Sequence, residues 1–289
     1  MTSRRTALKI LAGAGATAVT GSARADGPRK APDDAVGMLY DTTLCIGCKA
    51  CVVACREANG LEPDTSNSEG GLHDSPIDLN GQTKNIIKLF RDEHGRESYV
   101  KRQCMHCIDP ACEAACMIGS LQKRAHGIVT WDPNRCIGCR YCQIACPFNV
   151  PKFEWASASP KIVKCELCDH LVAEGKEPAC CEVCPRDAVI YGKRDELLEE
   201  AKKRIRDNPG RYIDRVYGET EGGGTQVLYL SHVPFTELGL PDLSDDAVPN
   251  LTRSLQHGIY KGFIAPIALY AAAGAIMWRN RKKESEETP

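Results

Sequence analysis

The hydrophobic positions of this chain come in short bursts separated by polar and turn-forming stretches. Met38-Leu39-Tyr40 ahead of Asp41 predicts a short strand. Residues 86–90 and 97–101 flank Glu93-His94-Gly95 and predict a hairpin. Residues 127–132, 188–192 and 227–230 predict further strands, the first closed by an Asp132-Pro133 turn. Helix is expected to open at Cys55-Arg56-Glu57-Ala58 and to occupy part of 111–121. It is also expected over 194–206, where Glu, Leu, Ala and Lys dominate and the charges suit a solvated face. Residues 61–84 are rich in Asn, Asp, Ser, Gly and Pro and suit a surface insertion. Residues 234–251 predict an irregular extension with no obvious core.

Cysteine supplies what these bursts lack. The 289 residues include 17 cysteines, and 16 fall into four runs. These are Cys45-x2-Cys48-x2-Cys51-x3-Cys55, Cys104-x2-Cys107-x4-Cys112-x3-Cys116, Cys136-x2-Cys139-x2-Cys142-x3-Cys146 and Cys165-x2-Cys168-x11-Cys180-x3-Cys184. The first and third have bacterial ferredoxin spacing, and Pro147 completes the third. Three closely spaced thiolates let one loop wrap a cubane cluster. The x3 step is expected to place the last cysteine at the start of a helix, pointing to a partner cluster. Four runs of three plus one give ligands for four [4Fe–4S] clusters. Zinc ribbons pair simple Cys-x2-Cys knuckles and do not call for the third and fourth cysteines at these steps. A disulfide framework rarely sets three cysteines so close together.

Spacing alone does not fix which runs pair. The second and third are separated by residues 117–135 and form one natural unit, leaving the first and fourth as an outer unit. On that reading cluster 1 is held by Cys45, Cys48, Cys51 and Cys184, and cluster 2 by Cys165, Cys168, Cys180 and Cys55. Cluster 3 is held by Cys104, Cys107, Cys112 and Cys146, and cluster 4 by Cys136, Cys139, Cys142 and Cys116. Cys181 is left over beside Cys180. The shared ending Cys-x3-Cys-Pro, seen at Cys142–Pro147 and again at Cys180–Pro185, favours Cys180 as the ligand. Met117 stands where a proline often follows the last cysteine of a run. His94 and His106 lie near the runs, but four thiolates are available locally and neither is expected to bind metal. Gly47 and Gly138 occupy matching loop places, where a missing Cβ lets backbone approach a cluster. Gly222-Gly223-Gly224-Thr225 lacks the Lys-Ser/Thr ending of a phosphate loop and is expected to be a turn.

Both ends of the chain carry address signals. Arg4-Arg5, a weakly apolar stretch over 10–19 and Ala23-Arg24-Ala25 predict a twin-arginine signal peptide over 1–25. That route carries folded, cofactor-loaded protein, as oxygen-sensitive clusters require. Its removal leaves 33 basic against 38 acidic residues, a balance that excludes a basic nucleic-acid surface. Residues 262–278 carry no formal charge and are followed by Arg279-Asn280-Arg281-Lys282-Lys283, which predicts a membrane span with a cytoplasmic end. The expected organisation is therefore a signal over 1–25, a four-cluster domain over 26–215 and an extension over 216–258. A transmembrane helix over 259–279 and a cytoplasmic tail over 280–289 complete it. The expected class is α+β: two pseudo-symmetric, tandem ferredoxin-like dicluster units with one C-terminal transmembrane helix.

Further stretches carry a resemblance. Gly37-Met38-Leu39-Tyr40-Asp41, Gln103-Cys104-Met105-His106-Cys107, Gly138-Cys139-Arg140-Tyr141-Cys142, Lys164-Cys165-Glu166-Leu167-Cys168, Glu221-Gly222-Gly223-Gly224-Thr225-Gln226-Val227 and Tyr260-Lys261-Gly262 resemble the four-cluster electron-transfer subunits of periplasm-facing membrane oxidoreductases. Among these, the hydrogenase-2 type is most similar. The resemblance implies the nested ligand pairing given above. It also implies as partners the large and small subunits of a [NiFe] hydrogenase and a quinone-binding integral membrane subunit. The chain would then be a non-catalytic electron conduit between hydrogenase and quinone at the periplasmic face of the membrane. Two rivals stand: the equivalent subunit of a formate dehydrogenase or other molybdopterin enzyme, and a cluster- or zinc-bearing assembly factor.

Overall fold

The first strand anchors the fold because both of its faces are apolar. In the computed structural model, which describes residues 29–62, 76–93, 95–155, 160–250 and 266–279, β1 (Val36–Asp41) lies at the centre of a three-stranded sheet. It runs antiparallel to β8 (Val189–Lys193) and parallel to β9 (Val227–Leu230). Met38 faces Tyr191 on one side and Val227 on the other. Successive side chains alternate across the sheet, so Met38 and Tyr40 join the main core with Val189, Val227 and Tyr229. Leu39, Leu228 and Leu230 point the other way, onto Leu197 and Ala201 of α6 (Arg194–Asp207). Each of those leucines contributes about 1.5–3 kcal/mol by its burial. The strands approach closely at Gly37, where a Cβ would stand 1.9 Å from the Gln226 carbonyl oxygen.

The cysteine runs hang from this sheet on short elements. In chain order, α1 (Ala50–Ala58) precedes the hairpin of β2 (Asn85–Arg91) and β3 (Glu97–Gln103), and α2 (Ala111–Ala114) follows it. Next come the ladder of β4 (Leu121–Lys123) and β5 (Val129–Trp131), α3 (Tyr141–Ala145), and the pair β6 (Lys152–Phe153) and β7 (Ile162–Val163). Then α4 (Asp169–Val172) and α5 (Ala179–Glu182) lead to β8 and α6. Helix α1 packs on α5, and α2 packs on α3. The outer two runs are thus joined through their helices, as are the inner two, in two nested units of mixed α and β structure. The nesting follows from the sheet: β1 and β8 are neighbours, which brings the two ends of the cysteine region together around the middle.

Several expectations change. Helix α1 opens at Ala50, so Cys51 and Cys55 both lie on it one turn apart, and Cys55 does not begin a helix. In the other three runs the helix ends before or at the last cysteine. The strand expected over 127–132 is shorter, because Ala125–Gly127 forms a 3₁₀ turn with His126 at φ 55°. The charges of α6 are only partly a solvated face. Arg194 is buried and donates to the Thr225 and Glu219 carbonyls at 2.8 and 3.2 Å, and Arg204 meets Asp41 at 3.3 Å.

Residues after 216 are no loose extension. Residues 28–249 form one compact unit. Val233, Phe235, Leu238 and Leu240 are buried in the main core, and the Tyr217 hydroxyl donates to the Pro241 carbonyl at 2.7 Å. Lacking a helical or strand period, these residues cover the core one at a time, which hid them from a periodicity argument.

Residues 266–279 are helical and exposed, and they belong to a second unit. Among the described residues no helix is long and apolar enough to cross a membrane. The expected span over 259–279 is therefore not supported as drawn. Its first residues, the signal over 1–25, the tail over 280–289 and His94 lie outside the described residues.

Candidate metal centres

All four runs use one backbone device. The residue two places after the first cysteine has positive φ: Gly47 at 69°, His106 at 47°, Gly138 at 69° and Leu167 at 54°. This left-handed step turns the loop so that its cysteines face a common space, and it aims an N–H back at the first sulfur. Gly47 N–H donates to Cys45 Sγ at 3.4 Å, and Leu167 N–H to Cys165 Sγ at 3.3 Å. Such donors tune an iron–sulfur centre. Two loops need glycine for different reasons. A Cβ on Gly47 would stand 2.3 Å from the Tyr99 ring, whereas one on Gly138 would meet only Pro160, at 3.5 Å. His106 and Leu167 hold the same conformation without glycine because both are fully buried. His106 Nδ1 also accepts the Val129 N–H at 3.1 Å. Burial, with Lys164 and Lys123 nearby, holds the His106 imidazole well below its usual pKa. It pins the loop.

The last cysteines share a second device. Gly119, Asn149 and Asp187 stand three residues after Cys116, Cys146 and Cys184 with φ of 62°, 53° and 48°. Their N–H groups donate to the cysteine carbonyls at 3.1, 3.1 and 3.3 Å. Met117 leaves the turn at Cys116 intact, and Ser120 N–H also reaches Cys116 Sγ at 3.2 Å. Cys55 is the exception: its helix continues, and Asn59 Nδ2 donates to the Cys55 carbonyl at 2.7 Å.

The thiols fall into four neighbourhoods. Cys45 lies among Cys184 and Cys48, and Cys51 among Cys180, Cys45 and Cys184. Cys55 lies among Cys180 and Cys168, and Cys165 among Cys55, Cys104 and Cys180. Cys107 neighbours Cys112, Cys146 and Cys104. Cys142 neighbours Cys116, Cys139 and Cys136. Burial pushes the thiols of Cys51, Cys55 and Cys142 up to about 12 and that of Cys146 to about 11. These thiols hold their protons until a metal displaces them. Cys180 moves the other way. A hydrogen bond with Cys181 draws it down against burial, and Lys101 adds to the effect. Cys181 is raised by the same hydrogen bond and by burial, and it neighbours Glu177 and Tyr191.

The four neighbourhoods form a series. Cys51 and Cys180 link the first to the second, Cys165 and Cys104 the second to the third, and Cys112 and Cys142 the third to the fourth. The two ends open to solvent at Cys48 and Cys139. At the first end, Cys45, Cys48, Cys51 and Cys184 line a concavity of ≈ 360 Å³ with Tyr40 and Ile87. At the other, Ile144 is 82% and Met117 71% exposed, and Arg140 stacks on Trp155 at 3.9 Å. The middle two are lined mainly by buried cysteines. A single zinc ion would draw its sulfurs to about 3.8 Å of one another, given a Zn–S bond near 2.3 Å. Among the described residues no three His, Cys, Asp or Glu side chains close on a single-ion site. Four cysteines around one concavity, as at Cys45, Cys48, Cys51 and Cys184, suit a multi-iron cluster.

Two patterns described as 4Fe-4S dicluster domains match, over residues 37–117 and 96–194. The chain is 39% identical over 287 residues to the Hydrogenase-2 operon protein HybA of Escherichia coli O157:H7, covering 87% of each. It is 37% identical over 250 residues to the nitrate-inducible formate dehydrogenase iron-sulfur subunit of E. coli K12, covering 83% of this chain and 81% of that one. A relative from Haemophilus influenzae, a formate dehydrogenase iron-sulfur subunit, is 33% identical over 84% of this chain and 78% of its own. The chain belongs to the HybA family of iron–sulfur subunits. It is an electron-transfer subunit, and its two dicluster domains carry four [4Fe–4S] clusters. The dicluster patterns overlap over residues 96–117 and take the runs in chain order, whereas the helix packing nests the inner pair of runs inside the outer.

Residue reasoning missed Lys101 and Lys164, both fully buried. Lys164 directly precedes Cys165, so its place was visible, but no periodicity marks its burial.

Proposed function

We propose that the chain relays electrons between a [NiFe] hydrogenase and a quinone-reactive membrane subunit. In this reading Cys45, Cys48, Cys51 and Cys184 hold cluster 1, and Cys165, Cys168, Cys180 and Cys55 cluster 2. Cys104, Cys107, Cys112 and Cys146 hold cluster 3, and Cys136, Cys139, Cys142 and Cys116 cluster 4. The carrying observation is the series of four thiol neighbourhoods with open ends and a buried middle. Each cluster, when bound, supplies a one-electron centre. The chain's own residues supply the rest. The thiolates fix the order of the centres, the turn N–H groups set their polarity, and the core excludes water from the middle pair. An open centre at each end lets one partner deliver electrons and another collect them.

The partner assignment rests on the likeness to HybA and on residues 259–283. Their apolar stretch and basic flank suit attachment at the membrane, with the cluster unit on the periplasmic side after twin-arginine export. The formate dehydrogenase relatives support a second reading with a molybdopterin partner, and co-purification of the native complex separates the two. The test of the relay is Cys104→Ser in the intact complex. Hydrogen-dependent quinone reduction should fall steeply while hydrogen oxidation with a soluble dye survives. Quinone reduction at the full rate without cluster 3 would make the chain a docking or assembly protein.

A further inference from the structure

Two buried lysines stand at the junctions of the series. Lys101 on β3 is fully buried, and its ammonium donates to Gln103 Oε1. It faces Cys180, Cys51, Cys165 and Cys55, which belong to the first and second neighbourhoods. Lys164 is equally buried and donates to the carbonyls of Val129 and Cys165. It faces Cys104, Cys112 and Cys165, of the second and third.

Neither lysine forms an ion pair among the described residues. The carboxylate nearest to Lys164, that of Glu166, pairs with Lys84 at 2.9 Å and accepts the Trp131 N–H at 3.0 Å. An ammonium taken out of water without a countercharge is costly enough that proteins rarely leave one so. Among the described residues, and apart from Glu166 beside Lys164, the groups that face the two lysines and become anionic when they bind metal are cysteine sulfurs.

We propose that Lys101 and Lys164 are potential-setting residues: Lys101 raises the reduction potentials of clusters 1 and 2, and Lys164 those of clusters 2 and 3. The proposal rests on the ligand sets given under Proposed function. A cubane with four thiolates is doubly negative when oxidised and triply negative when reduced. A fixed positive charge in a low-dielectric interior therefore favours the reduced form. The transfer moves one electron from one centre to the next and needs no proton, because the ammonium stays charged throughout. The middle of the series is the part sealed from water, where an electron would otherwise be least welcome. The lysines make that stretch passable.

The test is a potentiometric titration of the full complex, followed by electron paramagnetic resonance. Signals are assigned with Cys51→Ser, Cys180→Ser, Cys112→Ser and Cys142→Ser. Lys101→Met should keep close to the full iron content and shift clusters 1 and 2 to lower potential. The reduction equilibrium should change at least tenfold, about 59 mV for one electron, with cluster 4 unmoved. Lys164→Met should shift clusters 2 and 3 and leave cluster 4 alone. Full iron with unmoved potentials, or the same shift in all four clusters, overturns the proposal. If a methionine variant loses iron, the Arg variant at that position decides. Restored iron and potentials show that charge is what matters; unrestored iron shows that shape is, and overturns it. Failure of the ligand sets looks different: the cysteine variants would then leave iron content unchanged.

Discussion

The Asp41 carboxylate accepts the Tyr212 hydroxyl at 2.8 Å across the second face of the sheet. Asp41 is fully buried at the end of β1 and also accepts the Thr43 N–H and hydroxyl at 2.9 and 2.6 Å. Arg204 of α6 approaches the oxygen that Tyr212 bonds, at 3.3 Å, while Thr43 takes the other. The group ties helix, sheet and first cysteine loop together, since Cys45 follows Thr43 by two residues. Asp41→Asn should keep the shape and lose the charge-assisted bonds. A loss of about 1.5–3 kcal/mol is expected, read as a lower anaerobic unfolding midpoint. Tyr212→Phe should cost less, about 1 kcal/mol, because it removes one of several donors.

The paired glycines predict different outcomes. Gly47→Ala places a Cβ against the Tyr99 ring and keeps a strained φ, whereas Gly138→Ala meets only the φ strain. The strain alone amounts to about 1–3 kcal/mol. Gly47→Ala should lose cluster 1 iron, and Gly138→Ala should keep cluster 4. Tyr99→Ala added to Gly47→Ala should recover part of the loss, as iron analysis of the three proteins would show.

Cys180 and Cys181 are adjacent and hydrogen-bonded to each other, and of the two Cys180 lies among the thiols of the first and second neighbourhoods. Cys180 lies among Cys51, Cys55 and Cys165, while Cys181 neighbours Cys180, Glu177 and Tyr191, and Lys101 acts on both. Cys181→Ser should retain sixteen irons within error, and Cys180→Ser should lose or convert one cluster. The reverse result would shift the ligand register by one residue.

Much of this was legible in the chain itself. The cysteine spacing foretold four thiol groups, because ligand chemistry restricts sequence more tightly than packing does, but not which runs pair, which shows only in the packing of α1 on α5 and of α2 on α3. Met38–Asp41, the hairpin around Gly95 and helix 194–206 were visible through period and turn residues. The sheet that joins β1, β8 and β9 was not, since its parallel pair spans nearly the whole compact unit. Phe235, Leu238 and Leu240 were also hidden, because an aperiodic segment can cover a core as well as a helix can. Lys101 and Lys164 were hidden for the opposite reason: lysine ordinarily signals surface, and the thiols that surround these two come together only in the fold.

The last prediction concerns the end of the chain. Residues 28–249 form their own compact unit, and all 17 cysteines lie within it. Ending the chain before Lys261 should therefore leave iron content, unfolding midpoint and cluster spectra unchanged. If the apolar stretch over 262–278 holds the relay beside a quinone-reactive subunit, its loss lowers the local concentration of the open cluster at the quinone site. Electron transfer by tunnelling falls steeply with distance, so a relay held loosely delivers few electrons. Hydrogen-dependent quinone reduction in washed membranes should fall, and the protein should appear in the soluble periplasmic fraction. Dye reduction by the same cells should persist, because a dye collects electrons upstream. If quinone reduction and membrane association both survive the truncation, attachment runs through the cluster unit itself, and the C-terminal stretch is not the anchor.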